Sequence, residues 1–308
     1  MDNILSVLTP EEYVYLKLRA LYSGFGYKKY RMSKFEEYDL YAKNKDFLVS
    51  ESVITFTDMG GKLLALKPDV TLSIVKNSKD VDGVMKVYYN ENVYRVSKGT
   101  KTFKEIMQTG LECIGAVDLK TVEEVLLLAS KSLSEISKDY MLCVSNLDII
   151  KEVLSFVGLS ADKQNETIKY LGEKNLPSIK ILLEKEGITG DKKELVEKLV
   201  TVYGAPEKVT DGLDAFAVSE KAKIAIDELK QVVSGLVKEN ASVIIDFSVV
   251  NDMNYYNGIA FKGYIEGVPT GVISGGEYDK LMKKMGKPYK AVGFAVYLDE
   301  ISRVKGEE

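Results

Sequence analysis

The sequence predicts an α+β fold: an antiparallel sheet flanked by helices and interrupted by an inserted helical subdomain. Three observations carry this. Alternating apolar and polar residues at 83–97 and 105–116 read as two long strands joined by a polar loop. From Leu147 to Lys238 every segment has helical character. Strand-like segments then resume at 242–248, 254–265 and 271–276, and an apolar run passing into a helix closes the series at 289–301. Hairpin-connected strands with helices set to one side argue for an antiparallel sheet. The helical block divides the sheet in sequence, so the expected domains are 1–146 plus 240–308 as core and 147–239 as insertion.

Taken in order, "TPEEYVYLKLRALYSGFGY" (9–27) predicts a helix. Thr9 and Glu12 form a capping box, Pro10 suits the first turn, and Gly24 and Gly26 end it. Tyr13, Leu16, Leu18 and Leu21 are its apolar positions. "SVITFTDMGGKLLALKP" (52–68) predicts a β-hairpin turning at Gly60-Gly61. Asp69 then suits the N-cap of a short helix. After the two long strands, "LKTVEEVLLLASKSLSEIS" (119–137) predicts an amphipathic helix and "YMLCVS" (140–145) a strand. No strand is expected within the helical block.

Composition excludes several function classes. The 308 residues carry a formal charge of −4, with 45% hydrophobic and 29% charged residues, as in ordinary globular proteins. The acidic pI of about 5.4, with acids interleaved among the lysines, argues against a large nucleic-acid footprint. No apolar run reaches a membrane span, and acids come too early for a secretory signal, so a cytoplasmic protein is expected. Cys113 and Cys143, each flanked by apolar residues, read as reduced core thiols. The chain contains no histidine. A histidine-based triad and a histidine-ligated zinc site are therefore excluded. No cofactor or metal is expected.

Four patches combine chemistry-bearing residues. "KPDVT" (67–71) offers Asp69, either as a cap or as a ligand group. "YRVSKGTKTFKEIMQTGLE" (94–112) offers Arg95 and a loop with Lys98, Lys101 and Lys104. Its strand places Gln108, Gly110 and Glu112 on one face, either solvent-facing or in a pocket that satisfies them. In "NDMNYYNGIAF" (251–261), strand alternation would send Tyr255 and Tyr256 to opposite faces, so that one of them enters a pocket. "SGGEYDKL" (274–281) and "AVGFAVYLDEI" (291–301) offer glycines that allow close approach to the backbone.

The order of these segments resembles the catalytic core of histidyl-tRNA synthetase, a class II aminoacyl-tRNA synthetase fold, from about Leu8 to Arg303. The resemblance implies a histidine pocket. Asp69 and Thr71 stand where that family binds the amino group, with Asp in place of the longer Glu. Gln108 contacts the same ligand, while Glu112 and Tyr256 surround the imidazole. An imidazole N–H can be fixed by a carboxylate and a phenol, which suits this set.

On the nucleotide side the resemblance is incomplete. Adenylate formation needs fixed cations aimed at the developing phosphate charge. Arg95 matches the first of the family's three arginines. Asn251 stands at the second and Glu300 at the third, with Tyr297 in place of a nearby glycine and Ser97 in place of an acid. Asp299 and Glu300 would repel a triphosphate, and Tyr297 would fill adenine space. This implies lost adenylation, and with the sequence ending at Glu308 no anticodon module and no tRNA partner are expected.

That profile resembles the regulatory subunit family of the short-form ATP phosphoribosyltransferase (HisZ). The resemblance implies a non-catalytic subunit in the first step of histidine biosynthesis. Its implied partner is the short catalytic subunit, in a hetero-octamer, with histidine as feedback effector and self-association as a homodimer. The alternatives are a tRNA-independent amino-acid-adenylating ligase using Arg95 and the loop lysines, and a tRNA-sensing module.

Overall fold

The computed structural model describes residues 7–48, 53–78, 82–96, 101–250 and 255–302, with Ser302 described by its backbone alone. Ser97, Lys98 and Asn251 lie outside the described residues.

Helix α1 (Pro10–Gly24) begins as its sequence requires. The Glu12 N–H donates to Thr9 Oγ1 and the Thr9 N–H to Glu12 Oε2, completing the capping box. Beyond its end Gly26 takes φ +84°, a left-handed position that glycine supplies without a Cβ penalty. The buried stripe is Val14, Leu18 and Tyr22, whereas Tyr13 and Leu16 are exposed. The expected apolar face was therefore partly wrong. The run Tyr13–Leu16 is apolar on every side, so periodicity alone does not orient it.

A small antiparallel sheet follows in the order β2 (Phe35–Glu37), β4 (Leu63–Leu66), β3 (Thr55–Thr57). The hairpin between β3 and β4 forms, but its turn is longer than a Gly-Gly pair. Asp58 Oδ1 accepts from the Gly60 and Lys62 N–H groups and organises the loop. Helix α2 (Thr71–Asn77) comes next; its N-cap position is Val70, one residue after the expected Asp69, but Asp69 Oδ1 still accepts from the Leu72 N–H at 2.8 Å as a capping side chain does.

The large sheet contains nine strands among the described residues. Its longest strands form the hairpin β5 (Val84–Val96) and β6 (Phe103–Gly115) near one edge, continued on the β6 side by β12 (Lys290–Tyr297), β11 (Ile273–Glu277), β10 (Asn257–Ile265) and β7 (Tyr140–Asn146). The order continues to β9 (Val243–Asp246) and β8 (Tyr203–Gly204), while β1 (Lys28–Lys29) edges β5. The β1–β5 and β7–β9 pairs are parallel and the others antiparallel. Strand β8 lies inside the block expected to be purely helical. Its two residues pair with Asp246 and Ile245, and so short a strand has no periodicity to betray it.

Pleating gives the two faces different tasks. On one face Leu111 and Cys113 of β6 join Val122, Val125, Leu126, Ala129 and Leu133 of helix α3 (Leu119–Ile136) in a single buried cluster. Those α3 positions recur at three- and four-residue intervals, the stripe an amphipathic helix buries. Helices Leu147–Val157 and Glu220–Lys238 of the helical block contribute to the same cluster. On the other face Val87, Tyr89 and Ile114 pack with α2 and with the short helix α4 (Asp279–Lys284). Both cysteines are buried and free, as expected of core thiols.

Candidate functional site

The second face holds a cavity of ≈ 50 Å³, room for a few water molecules with the surrounding tyrosines in place. Gln108 and Glu112 line it from β6, Tyr89 from β5, Ser274 from β11, and Ala295 and Tyr297 from β12. Asp69, Thr71, Tyr255, Tyr256 and Tyr278 close it from the loops and helix starts. Gln108 and Glu112 are 3% and 2% exposed, which excludes a solvent-facing role for that strand face.

Glu112 is the floor of the site. Its Oε1 accepts from Thr71 Oγ1 at 2.6 Å and its Oε2 from the Tyr278 hydroxyl at 2.7 Å. Burial pushes its carboxyl up to about 8; the two hydroxyls pull it back and the Asp69 charge adds to the rise. The Tyr278 and Tyr255 hydroxyls are also held far above their ordinary range, chiefly by burial.

The glycine opposite explains itself here. Gly293 pairs with Glu112 across the β12–β6 ladder. A Cβ on Gly293 would collide with Glu112 Oε2 and with the Leu111 carbonyl. What approaches this backbone so closely is the protein's own carboxylate. Gly110 does the same for Tyr89, whose hydroxyl would lie 2.6 Å from an added Cβ.

The four patches converge as their order suggested, with two differences. Tyr255 and Tyr256 both line the cavity, their ring centroids 4.8 Å apart. They precede β10, which starts at Asn257, so strand alternation does not govern them. Glu300 does not line the cavity. Its Oε2, on helix α5 (Leu298–Ser302), accepts from Thr270 Oγ1 at 2.7 Å in an exposed bond. Tyr297, opposite Gln108 in register, does line it. Arg95 also lines the cavity and donates from Nε to the Pro68 carbonyl at 2.9 Å.

Sequence reasoning missed Tyr278, the second partner of Glu112. It lies in "SGGEYDKL" beside the glycines, and only the three-dimensional fold brings its hydroxyl to Glu112. Gln108 Nε2 is a buried donor without a hydrogen-bond partner. Such a group is costly to leave unmade, and an acceptor entering the cavity would satisfy it. Arg95 is the one cation lining the cavity among the described residues, against the carboxyls of Asp69 and Glu112. The lining thus offers acceptors in Asp69 and Glu112 and donors in Arg95 and Gln108. No group of acids and cysteines among the described residues is arranged to hold a metal ion.

The nine-stranded sheet with its flanking helices is a class II synthetase-like fold. The family model described as histidyl-tRNA synthetase matches residues 9–301, and the chain belongs to that family. Among relatives, the ATP phosphoribosyltransferase regulatory subunit of Alkaliphilus metalliredigens (strain QYMF) is 26% identical over 286 residues, 90% of this chain and 72% of that protein. Among solved structures, an ATP phosphoribosyltransferase regulatory subunit/histidyl-tRNA synthetase from Bacillus halodurans superposes with a TM-score of 0.84 at 23% identity, covering 97% of this chain and 80% of the other. The ATP phosphoribosyl transferase (HisG:HisZ) complex from Thermotoga maritima matches with a TM-score of 0.73 at 20% identity, over 92% and 96% of the two chains. No helix among the described residues is long and apolar enough to cross a membrane.

Proposed function

We propose that this chain is a non-catalytic regulatory subunit of ATP phosphoribosyltransferase, acting in the cytoplasm in the first step of histidine biosynthesis. The observation that carries the reading is the scarcity of cations: among the described residues Arg95 alone lines the cavity, beside Asp69 and a Glu112 whose carboxyl burial favours keeping protonated, where adenylation would need several cations. The names of the relatives and the HisG:HisZ complex among the structural neighbours support a catalytic partner subunit.

In this reading the cavity receives free histidine. Asp69 takes the ammonium group, Gln108 donates to an acceptor of the ligand, and Glu112 and Tyr256 border the imidazole. The Tyr255–Tyr256 pair borders the cavity and shifts as histidine enters. Histidine then biases the assembly by binding its conformations with different affinity; equal affinity would shift nothing. A chain without histidine is also suited to synthesis when that amino acid is scarce.

Calorimetry with L-histidine tests the site. Binding by the unaltered chain, weakened at least tenfold by Glu112→Ala, is the expected result. Unchanged binding in the variant would remove the cavity from the account. Histidine-dependent pyrophosphate exchange would instead favour a stand-alone ligase.

A further inference from the structure

Lys67 is the one lysine that is fully buried among the described residues, at 0% exposure. Its Nζ donates to Glu91 Oε2 at 2.8 Å, and burial lowers its pKa against the opposing pull of that carboxylate. A buried ion pair is weak evidence for stability, because desolvation offsets much of the attraction. An apolar side chain of similar length would serve packing as well, so the charge calls for another role.

The surroundings of Lys67 indicate that role. Glu91 lies on β5 directly opposite Gln108 of β6. The backbone at Lys67 is held on both sides: its N–H donates to the Lys34 carbonyl at 3.0 Å and its carbonyl accepts from the Tyr94 N–H at 2.8 Å. The next carbonyl, of Pro68, accepts from Arg95 Nε. The segment then delivers Asp69 and Thr71 to the cavity. We infer that the Lys67–Glu91 pair is a positioning device: it ties residues 67–71 to the β5–β6 hairpin and so sets Asp69 and Thr71 against Gln108 and Glu112. This rests on the reading that the cavity binds histidine.

The test measures histidine affinity and urea unfolding together for Lys67→Met, Glu91→Gln and Lys67→Arg. Lys67→Met should keep its unfolding midpoint near that of the unaltered chain while losing tenfold or more in affinity. Glu91→Gln should lose affinity likewise, with a lower unfolding midpoint because the Lys67 ammonium is left buried without its carboxylate, and Lys67→Arg should recover most of the affinity. In an Asp69→Asn background Lys67→Met should cost no more than about twofold, because the group being positioned has already gone. Should Lys67→Met fail to fold, Glu91→Gln and Lys67→Arg decide by the same criteria. Affinity within twofold in Glu91→Gln, or full additivity with Asp69→Asn, overturns the inference while leaving the histidine site standing. No binding by the unaltered chain removes both.

Discussion

Glu112 concentrates the chemistry of the site in one residue. Two hydroxyls hold its oxygens, and burial keeps its carboxyl near 8 where an exposed glutamate titrates near 4.5. Because the folded value is raised, the native state binds the extra proton between these limits. Its favourable contribution is present below about 4.5 and is lost as pH rises through about 8. Urea unfolding should therefore show the unaltered chain losing stability relative to Glu112→Gln between pH 5 and pH 8.5, by an amount on the order of a few kcal/mol at most. A constant difference across that range would contradict the assignment. Gly293→Ala should cost about 1–3 kcal/mol, since the new methyl meets Glu112 and the Leu111 carbonyl. Replacing Glu112 by Ala should recover part of that loss, and a double-mutant cycle by denaturant unfolding measures the coupling. The sequence made Gln108 and Glu112 legible as a same-face pair, because pleat parity depends only on spacing. It left Tyr278 and Lys67 illegible, because their partners are set by strand register and loop placement.

At the scale of elements, the chain was most readable where local chemistry decides. The capping box at Thr9, the Asp69 cap and the α3 stripe follow from neighbouring residues, and each forms. Thr9→Ala should cost about 1 kcal/mol, read as a fall in the urea midpoint without a change in slope. The failures share a cause too. The buried face of α1 was misjudged within an all-apolar run, and β8 is too short to show a period. Strand parity does not govern Tyr255 and Tyr256, because β10 begins after them. Because that pair closes the cavity, histidine should change the tyrosine absorption of the chain, and Tyr256→Phe should alter the change. The sequence contains no tryptophan to mask the signal.

Over the whole molecule, one sheet supports two functions on opposite faces. Helices seal one side into a continuous apolar core, and the other side keeps buried polar groups arranged around a small cavity. The order of motifs along the chain made the fold legible, since it resembles the histidyl-tRNA synthetase core. The docking surface for a partner was not legible, as exposed residues carry no comparable pattern. Glu300 accepts from Thr270 instead of lining the cavity, so what weighs against a bound triphosphate is that Arg95 is the one cation lining it among the described residues. The most direct measurement is reconstitution. The purified chain is mixed with the short catalytic subunit of ATP phosphoribosyltransferase, and phosphoribosyl transfer is followed with and without histidine. The account predicts a complex whose activity exceeds that of the catalytic subunit alone and falls when histidine is added. Absence of a complex together with unchanged transfer would contradict it.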